Sequence, residues 1–190
     1  KSNNKIIFDE EHEQLNFSVI SNNETLAAFG GRSNGKDFIK IYDLDNQKIL
    51  ANIFSDSPVD CGAFSGDNML LFTGSRDGKI KNISINTLKE ELILKTKDQQ
   101  FERMYSNPRK NQIIAFSQRD GMGQIHEITN NKHIITINQP DTDGFYPNAI
   151  FSNDGRYFIL GIGGFTYGQL IVYEDSISRK IWENKTIHKR

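Results

Sequence analysis

The sequence predicts an all-β fold of four-stranded antiparallel units repeated about four times. Three observations carry that reading. Ile occurs 25 times and Ala only 6, a bias that favours pleated strands over helices. A large apolar residue, a Ser, a polar turn and an apolar strand recur in VISNNETLAAFGG, AFSGDNMLLFTGS, MYSNPRKNQIIAFS and IFSNDGRYFILGIGG. The serines of these copies, Ser21, Ser65, Ser106 and Ser152, lie 44, 41 and 46 residues apart. A period near 40–46 that contains only strand patterns indicates the blade of a β-propeller.

Each copy is read in the same order. The first strands are LNFSVI, VDCGAF, FERMYS and YPNAIF. The second strands follow the Ser-containing turns and bring Leu26, Leu70, Leu71, Ile113, Ile114 and Phe158 to the expected interface between blades. Gly-rich or Asp-Gly turns come next, at 31–37, 75–79, 117–124 and 163–169, where positive φ is easily reached. Third strands follow at 38–44, 79–85, 124–129 and 169–175, and fourth strands at 48–54, 90–96, 132–138 and 180–185. The repeats thus span 15–54, 59–96, 101–138 and 146–185, and 1–14, with KIIF at 5–8, reads as the end of a preceding blade. An ordinary sandwich would not hold Ser, turn and third strand in phase over four units. The chain is therefore expected to be part of a larger propeller, with the missing blades in the parent chain or in a partner chain.

The pattern resembles the WD-repeat β-propeller family, in degenerate form. FSNDG at 151–155 and IYDL at 41–44 are the best matches to that family's turn and third-strand motifs. Tyr42, Ile83, Ile128 and Tyr173 stand where the family has Trp, and Asp43, Ser84, Thr129 and Glu174 where it has Asp. No Trp-Asp pair is present, and the Gly-His dipeptide is absent, so the family's hydrogen-bond network is expected to be incomplete in every blade. The resemblance implies that the loops after the second and fourth strands share one rim, the usual partner-binding face.

Net charge is −1, from 23 basic and 24 acidic residues, which argues against direct nucleic-acid binding. The single cysteine, Cys61, is read as a small buried residue and allows no internal disulfide. No apolar run approaches the roughly 18–20 residues of a membrane span, and the opening KSNNKIIFDEEHE lacks a signal peptide's apolar core. An intracellular, cytoplasmic location is the resulting expectation. Trp182, the sole Trp, is read as packing on an outer strand.

Catalytic and metal-binding patterns are absent. His12, His126, His133 and His188 have no HExxH spacing, and His126 and His133 are read as packed or solvent-facing. GMG at 121–123 and GIGG at 161–164 are incomplete as nucleotide loops and are read as blade turns. DTDG at 141–144 lacks the remaining ligands of a calcium loop. Asn16, Asn23, Asn82 and Asn184 begin N-x-S/T triplets that are read as chance. No catalytic residue, metal or cofactor is assigned.

What remains is the loop rim. Arg32, Arg76 and Arg119 occupy equivalent turns, and Tyr146, Phe165 and Tyr167 add aromatic surface. These residue types dominate protein-binding hot spots. Three such arginines can grip an acidic ligand, or they can pair with nearby acids such as Asp56, Asp60, Glu10, Glu11 and Glu13. The function expected is a non-catalytic protein–protein interaction scaffold in a multisubunit complex. Two alternatives stand beside it. One is a propeller enzyme or small-molecule binder using a central channel, with Asp60, Glu102 and Arg103 as its charged candidates. The other is a spacer that binds nothing at the rim.

Overall fold

The structure, a computed structural model, describes residues 14–97, 99–119, 122–138, 146–163 and 167–187. Among these residues are four antiparallel sheets, each of four strands in chain order. The first blade is β1 (Gln14–Ile20), β2 (Leu26–Ser33), β3 (Lys36–Asp43) and β4 (Lys48–Ser55). The second is β5 (Val59–Phe64), β6 (Leu70–Ser75), β7 (Lys79–Ser84) and β8 (Glu90–Lys95). The third is β9 (Gln100–Ser106), β10 (Gln112–Arg119), β11 (Met122–Thr129) and β12 (Lys132–Asn138). The fourth is β13 (Tyr146–Phe151), β14 (Tyr157–Gly163), β15 (Tyr167–Glu174) and β16 (Lys180–Ile187). The repeating strand pattern has the expected outcome: an all-β chain of propeller blades. No described helix is long and apolar enough to cross a membrane.

One turn explains the repeat. The Ser21, Ser65 and Ser152 amides each donate to the carbonyl five residues on, at 2.9 Å. Their hydroxyls accept the returning amides of Leu26, Leu70 and Tyr157 at 2.9, 3.0 and 2.9 Å. The same hydroxyls donate to Asn23, Asp67 and Asp154 two residues later. The third position after each Ser has positive φ: Glu24 at 60°, Asn68 at 61° and Gly155 at 70°. In the third blade the residue at this place is Asn107, not Ser106: its amide donates to the Gln112 carbonyl at 2.9 Å. Asn107 Oδ1 accepts from the Arg109 and Lys110 amides at 2.9 and 3.2 Å, and the Gln112 amide donates to the Lys110 carbonyl at 2.8 Å, so this turn keeps the closing backbone bond with a different internal pattern. Ser106 lies in β9, opposite Ile113. The turn residues are therefore 44, 42 and 45 apart.

The core lies between blades. We call the sheet face turned toward the next blade in the chain its leading face and the opposite one its trailing face. Ala28, Ile39 and Ile41 lead from the first blade onto Phe64, Leu71 and Ile83 of the second. Cys61, Phe72 and Ile80 lead onto Phe101, Ile113 and Ile128. Ile114, Phe116 and Ile125 lead onto Phe158, Leu160, Ile171 and Tyr173. Side chains such as Leu71, Ile83 and Ile114 are wholly buried, worth about 1.5–3 kcal/mol each. All six expected second-strand residues are buried except Leu70, which is half-buried.

Two readings are corrected. Trp182 is exposed, because it stands on the last strand of the last blade. Residues 161–163 end β14 and residues 122–123 begin β11, so the Gly-rich segments extend strands into their turns. KIIF at 5–8 and DTDG at 141–144 lie outside the described residues.

Candidate interaction rim

The loops after the second and fourth strands meet at one rim. The Arg76 amide donates to the Pro58 carbonyl at 3.0 Å, and the Thr96 amide donates to the Gly78 carbonyl at 2.8 Å. Thr96 Oγ1 lies 3.2 Å from the carbonyls of Gly78 and Gln99. Gly78 is required here: its φ is +79°, and a Cβ would sit 2.7 Å from the Gln99 oxygen.

Arg76 projects from this rim and is half-exposed. Its Nε and Nη2 donate to Asp60 Oδ2 and Oδ1 at 2.6 and 3.2 Å, a bidentate fork. Asp60 is on the first strand of the same blade. Arg32, the penultimate residue of β2, is exposed and donates from Nη2 to the Gly35 carbonyl at 3.2 Å. The backbone places Arg119 at the end of β10, Tyr146 at the start of β13 and Tyr167 at the start of β15. The side chains of those three, and the whole of Phe165, lie outside the described residues. So do Glu10, Glu11 and Glu13. Of the channel candidates, Asp60 holds Arg76, and Glu102 Oε1 accepts from Gln118 Nε2 at 2.6 Å.

The opposite rim is sewn together blade by blade. Asn68 Oδ1 accepts the Asn22 amide at 2.7 Å. Asn111 Nδ2 donates to Asp67 Oδ2 at 2.8 Å. Asn107 Nδ2 donates to the Gly155 carbonyl at 2.7 Å, and Lys110 Nζ meets Asp175 Oδ1 at 2.6 Å. Lys110 holds the Asp175 carboxyl below the usual carboxylate range. Glu127, on the leading face of the third blade and buried, receives four donors. These are Gln112 Nε2 (3.1 Å), Thr129 Oγ1 (3.3 Å), Ser176 Oγ (2.6 Å) and the Ile177 amide (2.9 Å).

A second buried polar chain runs through the third blade. Gln99 Oε1 only accepts, so Ser117 Oγ, 2.5 Å away, must donate to it. His126 Nε2, 2.8 Å from Ser117 Oγ, therefore carries the proton and donates. His126 Nδ1 then accepts from Thr136 Oγ1 at 2.9 Å, which leaves Thr136 to accept from His133 Nε2 at 2.9 Å. The packed alternative for His126 holds. Its environment, including the edge of Phe101, is closed, and burial followed by the nearby His133 lowers its pKa to about 4. Cys61 is buried as expected, and burial pushes its thiol up.

Sequence reasoning reached Arg76 and Asp60 and offered pairing of the rim arginines with such acids as one alternative, which the bidentate fork bears out at Arg76. It missed Asn107, Glu127 and the His126 chain. The visible signal for the last was alternation, which puts His126 of QIHEIT on a sheet face with Ala115 and Thr136.

No protein-family profile matches the chain, and no curated protein matches it. Solved structures do. The chain is similar to Kuenenia stuttgartiensis hydrazine synthase, with TM-score 0.73 and 12% identity over 96% of this chain and 53% of that one. It is similar to the Dos1 propeller, with TM-score 0.72 and 11% identity over 94% and 49%. It is also similar to the Myceliophteria thermophila Cps50 (Swd1) β-propeller domain, with TM-score 0.64 and 15% identity over 89% and 55%. The chain thus has the fold of propeller blades and spans about half the length of these solved chains.

Proposed function

We propose that the chain is a non-catalytic protein-interaction scaffold of a multisubunit assembly, binding its partner through the rim that carries Arg32 and Arg76. The observation that carries this reading is the unequal chemistry of the two rims. On one, Asn107, Asn111, Asp67 and Lys110 bridge neighbouring blades. On the other, Arg76 is locked by its own blade's Asp60 yet remains half-exposed. A guanidinium fixed in place loses little conformational entropy on meeting a carboxylate or phosphate. The sequence motifs support placing the chain in the WD-repeat group, and we read its working location as cytoplasmic.

The test is double reversal, Arg76→Glu with Arg119→Glu, in the protein isolated from its own cells after cross-linking. Loss of stoichiometric partners joined near Lys36, Lys79 or Lys97 is the expected result. Unchanged recovery of those partners would remove this rim from consideration.

A further inference from the structure

The leading face of the fourth blade repeats, position by position, surfaces that are interfaces elsewhere in the chain. Seven residues beyond each turn residue stand Ala28, Phe72, Ile114 and Ile159. The first three are 1%, 1% and 0% exposed, whereas Ile159 is 36% exposed. The third-strand partners of the position two further on are Ile39, Ile80, Ile125 and Leu170. Again the first three are buried to 1% or less, and Leu170 is 44% exposed. Pairing aligns Ile150, Ile159, Val172 and Trp182 as one row across all four strands. Ile150 and Trp182 are 64% and 47% exposed. Blades one to three cover this row with the trailing face of the next blade.

A socket marks the same face. Gly30, Gly74, Phe116 and Gly161 are equivalent, nine residues beyond the turn residue. Gly74 is occupied from the next blade: a Cβ there would lie 2.8 Å from Phe101 Cβ on that blade's first strand. Gly30 is covered by Phe17. Among the described residues, the nearest atom above Gly161 is the Asn148 carbonyl oxygen at 3.7 Å, and Gly163 has nothing within 4 Å. The result is an open groove of about 470 Å³ lined by Asn148, Gly161, Gly163, Gly168, Leu170 and Asn184.

We propose that this face docks a further four-stranded propeller blade, formed by polypeptide outside these 190 residues, which seats a first-strand aromatic over Gly161. The occupant follows from continuity with three existing interfaces, in each of which a leading face meets a blade's trailing face. A second copy of this chain fits poorly, because the trailing face it would offer, Phe29, Phe38 and Tyr42 of the first blade, is already buried. The inference rests on blade packing and is independent of the rim reading.

The test places a photo-crosslinking phenylalanine derivative at Ile159 in the protein expressed in its own cells and sequences the peptide captured. The expected peptide comes from outside these residues and has a blade's first-strand pattern with an aromatic. Leu170→Glu, which puts a charge on this face at a side chain 44% exposed among the described residues, should reduce capture at least tenfold while leaving the all-β circular dichroism spectrum in place. Arg76→Glu should leave capture unchanged, so the rim reading and this one fail separately. Capture of a peptide from the first blade, capture of a helical or irregular segment, or no capture would each overturn the proposal.

Discussion

Acidification from near pH 7 to near pH 5 should cost this chain about 2 kcal/mol of stability through His126 alone. The folded pKa is lowered to about 4 from 6.5, so the unfolded chain takes up the proton first. The contribution is therefore complete above 6.5 and is lost as pH falls toward 4, reaching about 3 kcal/mol at the lower limit. The cause is geometric. Nε2–H is committed to Ser117, and Nδ1 accepts from Thr136, so a second proton finds Thr136 pointing its own hydrogen at it. The carboxyls with lowered pKa, such as Asp43 and Asp154, begin to titrate below this window and leave it clear. Urea unfolding followed by far-ultraviolet circular dichroism, near pH 7 and near pH 5, measures the difference. His126→Gln keeps a donor and an acceptor but removes the titration, and its stability should change about 2 kcal/mol less across the window. Equal losses in the two proteins would refute the assigned tautomer and burial.

Other substitutions separate the parts of the fold. Asn107→Ala should cost about 3 kcal/mol, because it removes a buried amide joining two blades, whereas Ser106→Ala should stay within about 0.5 kcal/mol; chemical unfolding of the pair decides which residue holds the turn. Gly74→Ala brings a Cβ to 2.6 Å from Cys61 Sγ and 2.8 Å from Phe101 Cβ and should cost about 1–3 kcal/mol in chemical unfolding. Glu127→Ala strands four donors and should cost about 3 kcal/mol, lowering the melting temperature by roughly 6–12 °C. Cys61 should react with a disulfide reagent at least about 100-fold more slowly in the folded protein than in urea, since it is buried and its thiol is held protonated.

The period was legible because the a–b turn has a fixed local chemistry. Ser accepts the returning amide, Asn or Asp two residues later takes the hydroxyl proton, and the next residue adopts positive φ. Those demands act over five residues, so sequence spacing records them directly. The third turn was misplaced by one residue because Asn107, bonding other amides of the turn, stands where the other blades have Ser, and the adjacent Ser106 imitates the missing residue. The site was less legible for a different reason. Asn107 to Gly155 spans 48 residues, and Glu127 to Ile177 spans 50. Such partners are set by blade stacking, which no local pattern encodes. Trp182 was misjudged on the same ground: an outer-strand residue is covered only when a neighbouring blade reaches it.

The polar clasp around Glu127 acquires meaning from that last point. The first two interfaces are mainly apolar, built on Leu71 and Ile83 and on Phe101 and Ile113. The third adds Asn107, Gln112 and Glu127, which reach across to Gly155, Asp175, Ser176 and Ile177 of the fourth blade. A blade packed on one face only has half the apolar stabilisation of its neighbours, and its backbone opens at lower free energy. Hydrogen bonds at a buried carboxylate restore part of that deficit without needing anything on the other face. They also fix the blade's angle, since Glu127 must meet a hydroxyl and an amide at once. The leading face carrying Ile159 and Trp182 is thus held ready by contacts made behind it, so docking requires little reordering of the sheet.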